Sequence, residues 1–160
     1  MWYLLQSGVL SEPSLTVSPW FEARRGECYD RLLAISTRGD WDSFLRFFAE
    51  GLAASATQTR SDILTLLGIQ AELHDIVAGS SLRADSAHKV VDVAITHPTF
   101  TVRDIQDATG VTHARASRLI SQLSDLGILM TLNHEEYQRR YYAPKVLVML
   151  ARQGRLGEVG

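Results

Sequence analysis

Cysteine is almost missing from this chain: Cys28 is the only one. A single thiol closes no internal disulfide, and four-cysteine zinc sites are excluded. Cys28 itself is expected to be a small, buried or half-buried hydrophobe. Long apolar runs are missing too. None approaches the roughly 18 residues a membrane span needs, so no membrane partner is expected. The opening stretch, Met1 to Gly8, lacks the basic flank and long apolar core of a signal peptide, which makes the cytoplasm the expected location. No Gly-x-Ser-x-Gly turn, phosphate-cradling glycine loop or His-x-x-x-His pair occurs. The histidines, at 74, 88, 97, 113 and 134, read as scattered. No metal and no cofactor is expected.

What is present is ordinary globular material. The 160 residues are 46% hydrophobic and 21% charged, enough for a core, which rules out a disordered or collagen-like chain. The length allows one domain or two small ones. The net charge of −2 conceals an asymmetry. Residues 1–82 carry six Arg and no Lys against ten acids, whereas residues 83–160 carry eight Arg and two Lys against eight acids. A change of sign between halves suggests two modules with different partners.

The first module, residues 1–81, reads as a helical bundle. Ser18-Pro19 fits a cap followed by a first-turn proline, opening a helix over Trp20 to Ser36 that Gly26 weakens. Thr37-Arg38-Gly39 breaks the pattern, and Asp40 is placed to cap the next helix. There Trp41, Phe44, Leu45, Phe48 and Leu52 recur at helical spacing. Apolar residues from Ile63 to Val77 extend the pattern as one long helix or two in series. The aromatic set Trp41, Phe44, Phe47 and Phe48 reads as helix packing rather than a ligand cage. Ala78-Gly79-Ser80-Ser81 is the clearest linker signal.

The stretches Gly8 to Glu22 and Cys28 to Gly51 resemble the Fic family (filamentation induced by cyclic AMP). The most specific parts are Tyr29-Asp30-Arg31-Leu32 and Arg38-Gly39-Asp40-Trp41. They look like the helices that follow the catalytic loop in Fic proteins with a C-terminal winged-helix domain. With the second module, the resemblance covers nearly the whole chain. Such proteins carry His-Pro-Phe-x-Asp/Glu-Gly-Asn-Gly-Arg upstream of this region, with the histidine as general base and the glycine-rich loop on phosphate. The only His-Pro here, His97-Pro98-Thr99-Phe100, is followed by Thr101-Val102-Arg103, with no glycine to let backbone approach a phosphate. The resemblance therefore implies a Fic-type C-terminal piece without the chemistry, shortened naturally or otherwise, and not an enzyme.

The second module, residues 82–160, reads as a winged helix-turn-helix. A helix from Ala84 to Thr96 has an apolar face of Val90, Val91, Val93, Ala94 and Ile95 and stops at His97-Pro98. Thr101 caps a helix over 102–109, Gly110-Val111 turns the chain, and Thr112 caps His113 to Leu126, which ends at Gly127. Ile105, Ala108, Val111, Ala116, Ile120 and Leu123 are expected to pack the two helices together. His113, Ala114, Arg115, Ser117, Arg118, Ser121 and Gln122 are expected to face outward. Strands over 128–132 and 137–142, joined by a turn at Asn133-His134-Glu135-Glu136, form the wing, and Pro144 opens a last helix.

The overall expectation is a mostly α protein acting as a cytoplasmic, DNA-binding transcription regulator. Arg115 and Arg118 are the leading candidates for base or phosphate contact, because a guanidinium forks onto guanine edges and phosphate alike. Thr112, His113 and Ser117 lie beside them at the helix start. Thr101 and Arg103 are candidates for phosphate contact from the preceding helix. His134, Arg139 and Arg140 are wing candidates, whose alternative role is a charged edge that discourages strand pairing. A single such unit makes few phosphate contacts, so a homodimer through the N-terminal helices is expected to bind duplex DNA at half-sites one helical turn apart. Trp2, Leu4 and Leu5 would contribute to that apolar face. The alternative partner is protein, with the chain serving as a docking module of a Fic-type system.

Overall fold

The computed structural model describes residues 16–82, 85–132 and 139–152. They are mostly α-helical with one small antiparallel sheet. The chain divides into two compact units, Met1–Leu64 and Thr65–Gly160. This division lies inside a helix, well before the glycine-serine signal at 78–81. The reason is packing: Leu66, Ile69, Leu73, Ile76 and Val77, on the last turns of that helix, belong to the core of the second unit.

In the first unit, α1 (Ser18–Glu22) and α2 (Arg25–Arg38) replace the continuous helix expected over 20–36. The break is at Arg24, which leaves helical geometry at φ −121° and ψ 29°. Ser18 does not cap α1. Val17 holds the cap position, without a side-chain bond, and Pro19 occupies the first turn. Gly39 ends α2 in the left-handed region (φ 69°), which explains why glycine stands there. The Asp40 carboxylate then accepts from the Ser43 N–H at 3.2 Å and starts α3 (Trp41–Gly79), a single helix of 39 residues.

The expected stripe is not the one α3 buries. Trp41, Leu45 and Phe48 are exposed, whereas Phe47, Gly51 and Ser55, spaced one turn apart, are buried. The missing side chain of Gly51 lets the α1 aromatics come close. Trp20 and Phe21 lie 5.0 and 5.8 Å from the Phe47 ring, and Phe21 lies 5.5 Å from Phe48. A Cβ on Gly51 would stand 2.6 Å from Phe21 Cζ and 2.7 Å from Trp20 Cε3. Gly68, in the same helix, has no such neighbour within 4 Å. The same mutation should therefore have opposite signs at the two positions. Gly68→Ala should raise stability by up to about 1 kcal/mol through helix propensity. Gly51→Ala should lower it, because overpacking costs about 1–3 kcal/mol against that same gain. Urea midpoints of the two variants test this.

The two sequence blocks that carry the Fic resemblance meet at Ser43. Arg31 donates to the Ser43 carbonyl at 3.0 Å and to its hydroxyl, pairs with Glu27 at 2.6 Å and lies 5.0 Å from the Phe47 ring centre. Asp40 holds the Ser43 N–H from the other side. In this fold those residues fasten α2 to the start of α3. Cys28 is half-buried.

The second unit contains the end of α3, then α4 (Asp85–Thr96), α5 (Val102–Thr109), α6 (His113–Asp125), β1 (Met130–Thr131), β2 (Tyr141–Tyr142) and α7 (Pro144–Arg152). Its core joins Val90, Val91 and Ala94 of α4 with Ile105, Ala116, Leu119, Ile120, Leu123, Phe100 and Val146. Two details differ from expectation. Ala108 is exposed, and Leu119, absent from the expected packing set, is buried. The strands pair antiparallel in the register Met130↔Tyr142 and Thr131↔Tyr141. β1 is shorter than expected because Ile128 and Leu129 are both buried, which the alternation of a strand forbids. Their N–H groups instead bond the Leu123 carbonyl at the end of α6. Phe100 adds an antiparallel bridge to Tyr141. The expected wing turn with His134, and the Met1 to Leu5 face, lie outside the described residues.

Candidate nucleic-acid interface

α6 is positioned by its cap and its core face. The Thr112 hydroxyl accepts from the Arg115 N–H at 3.4 Å, and Gly110, at φ 70°, closes α5 just before it. Ala116, Leu119, Ile120 and Leu123 are buried on one side of α6. His113, Ala114, Arg115, Arg118 and Ser121 are exposed on the other, while Ser117 and Gln122 are half-buried rather than fully outward. Arg115 and Arg118 are three residues apart, so they share one face. Among the described residues neither forms an ion pair. The only acid on the helix, Asp125, is at its far end. The face thus offers two exposed guanidinium groups beside small side chains.

The other candidates divide into exposed and committed groups. Arg103 and Arg139 are exposed. Thr101 is committed to local structure. Its N–H and hydroxyl both donate to the Asp104 carboxylate, at 2.7 and 2.9 Å, while its oxygen accepts from the Asp104 N–H at 3.4 Å. This reciprocal capping box starts α5. Arg140 is also engaged, donating to the Thr99 hydroxyl at 3.3 Å. The Phe100–Tyr141 bridge, with bonds of 3.0 and 2.8 Å, brings these residues to one place.

The Asp104 carboxyl is held below its ordinary value of 3.8, mainly by the hydrogen bond from the Thr101 backbone. Slight burial opposes this, while the Thr101 hydroxyl and the charges of His97 and Arg140 add to it. A depressed folded value means that the stabilisation is complete above the unfolded range and is lost as pH falls through the folded value. Asp104→Asn should therefore lower the urea midpoint at pH 7, and the gap to wild type should narrow as the pH falls below 3.8.

The histidines are not all scattered. His74 of α3 and His88 of α4 face each other with their Nδ1 atoms 2.7 Å apart, and His74 Nε2 is 2.9 Å from Asp92 Oδ1. Only an i,i+4 comparison of the two helices, His74 with Gln70 and His88 with Asp92, hints at this in the sequence. Among the described residues, no group of three or more His, Cys, Asp or Glu side chains is placed to hold a metal ion, and no helix is long and apolar enough to cross a membrane. No known protein-family model matches the chain.

Proposed function

We propose that the chain is a DNA-binding regulator of the winged-helix kind, with α6 as the helix that enters the major groove and no nucleotidyl-transfer chemistry of its own. One observation carries this reading: Arg115 and Arg118 are exposed side by side, without ion pairs among the described residues, on a helix whose opposite face is anchored in the core. The order α4, α5, turn, α6, two-strand sheet supports it, because it matches the order of elements in such a module. Arg103 and Arg139 add exposed charge for phosphate.

The reading includes a homodimer through the first unit, placing two copies of α6 on successive turns of the duplex. The exposed Leu33, Trp41 and Leu45 support this part, at 62%, 58% and 55% of full accessibility. The Fic-type partner class rests on the residue likeness alone.

Fluorescence anisotropy with labelled duplexes at low and rising salt tests the proposal. Binding that weakens steeply with salt, and tightens on two half-sites one turn apart, is the expected result. Absence of any salt-dependent binding refutes it. A second reading, docking on protein, is favoured by Met130 and Leu132, which expose apolar side chains where a wing would meet phosphate.

A further inference from the structure

We propose that His74 and His88 form a proton-counting latch between α3 and α4, closed with no added proton or one and opened by two. The rings meet edge to edge. Their centroids are 5.0 Å apart and their planes differ by 24°. That separation equals the 2.7 Å Nδ1–Nδ1 distance plus one ring radius at each end, so the two nitrogens aim at each other. This is the geometry of a linear hydrogen bond. It leaves no room for zinc, whose nitrogen ligands stand about 2.0–2.1 Å from the ion.

The neighbours decide which nitrogen carries the hydrogen. The Asp92 carboxylate only accepts, so His74 Nε2 donates to it at 2.9 Å. The Gln70 amide donates to the same oxygen at 2.8 Å and steadies it. Neutral His74 then has a bare Nδ1, and His88 must donate from its Nδ1. A first added proton enters at His88 Nε2. The Nδ1–H remains in place and its bond becomes charge-assisted. A second proton has only His74 Nδ1 to occupy. Both facing nitrogens then carry hydrogens, the bond is lost, and two cations stand in contact, with the one carboxylate on the far side of His74.

Among the described residues, Asp92 is the only charged group bonded to the pair. The other charges on α4 and on the last two turns of α3 are Glu72, bonded to Lys145 of α7, then Asp75, and Asp85, paired with Lys89 at 3.1 Å. α5 and α6 pack on α4, and among the described residues they bond no charged group to the pair. The sign follows from linkage. The folded chain can hold both protons only by giving up the Nδ1–Nδ1 bond, a loss the unfolded chain does not suffer. Stability therefore falls as the second proton is added on acidification.

Imidazole 15N NMR of the full chain, from pH 8 to 5, tests the latch. At pH 8, His88 Nδ1 should be protonated and His74 Nδ1 bare. On acidification the Nδ1–Nδ1 bond should persist through the first added proton and break on the second. The thermal midpoint should fall by about 2–4 °C as the bond breaks. His88→Asn retains a donor toward His74 but takes no proton, so that fall should vanish. Independent single-step titrations of His74 and His88, or an unchanged pH curve in His88→Asn, would overturn the proposal. The wild-type spectra decide the matter even where the variant folds poorly.

Discussion

Arg115→Glu combined with Arg118→Glu is expected to abolish duplex binding while leaving the helix content unchanged. A bidentate arginine contact is worth about 1–3 kcal/mol of discrimination, so losing two should cost about 10²-fold or more in affinity. Reversing the charge adds repulsion from phosphate. The fold should tolerate both changes. Both side chains are exposed and, among the described residues, without ion pairs. Glutamate is also as good a helix former as arginine. Position 115 is the third residue of α6, where a glutamate completes a capping box with Thr112. The helix should be unharmed or firmer, so lost binding reports on the lost contact. Anisotropy beside far-UV circular dichroism measures both. Wild-type affinity in the double variant removes α6 from the reading and leaves protein docking.

The largest effect on stability is expected from Phe100→Ala. Phe100 is 1% exposed, and its backbone exchanges two hydrogen bonds with Tyr141. Emptying such a site costs about 3–5 kcal/mol, a large share of the roughly 5–15 kcal/mol that holds a domain folded. For a unit of this size the thermal midpoint should drop by about 12 °C or more. The damage should be local to the second unit. All three tryptophans, Trp2, Trp20 and Trp41, lie within Met1–Leu64. Tryptophan fluorescence therefore follows the first unit, while circular dichroism follows both. A lower urea midpoint by dichroism, with the fluorescence transition unmoved, is the expected pattern. An unmoved dichroism curve would mean that Phe100 is not the keystone its burial suggests.

Much of the candidate interface was legible before any coordinates. Thr101, Gly110, Thr112 and Gly127 mark the ends of α5 and α6 to within a residue. Each acts through bonds or backbone angles only a few positions away, so its effect is written locally. The exposed position of Arg115 and Arg118 followed from Ala116, Ile120 and Leu123 at helical spacing on the opposite face. Leu119 was missed, and Ala108 wrongly included, because a short helix has several near-equivalent apolar stripes. The partner it crosses selects one.

The amino-acid sequence alone determined where α5 and α6 start and stop, that the chain is mostly α, and that Arg115 and Arg118 stay in water. Capping, turn geometry and helical period are short-range effects, and they need no knowledge of the fold. Tertiary structure alone decided that Phe47, Gly51 and Ser55 are the buried line of α3, that its last turns join the second core, and that His74 meets His88. Those outcomes depend on which surfaces come together across long stretches of chain. Burial is a property of pairs of surfaces, and a single helix carries no record of its partner.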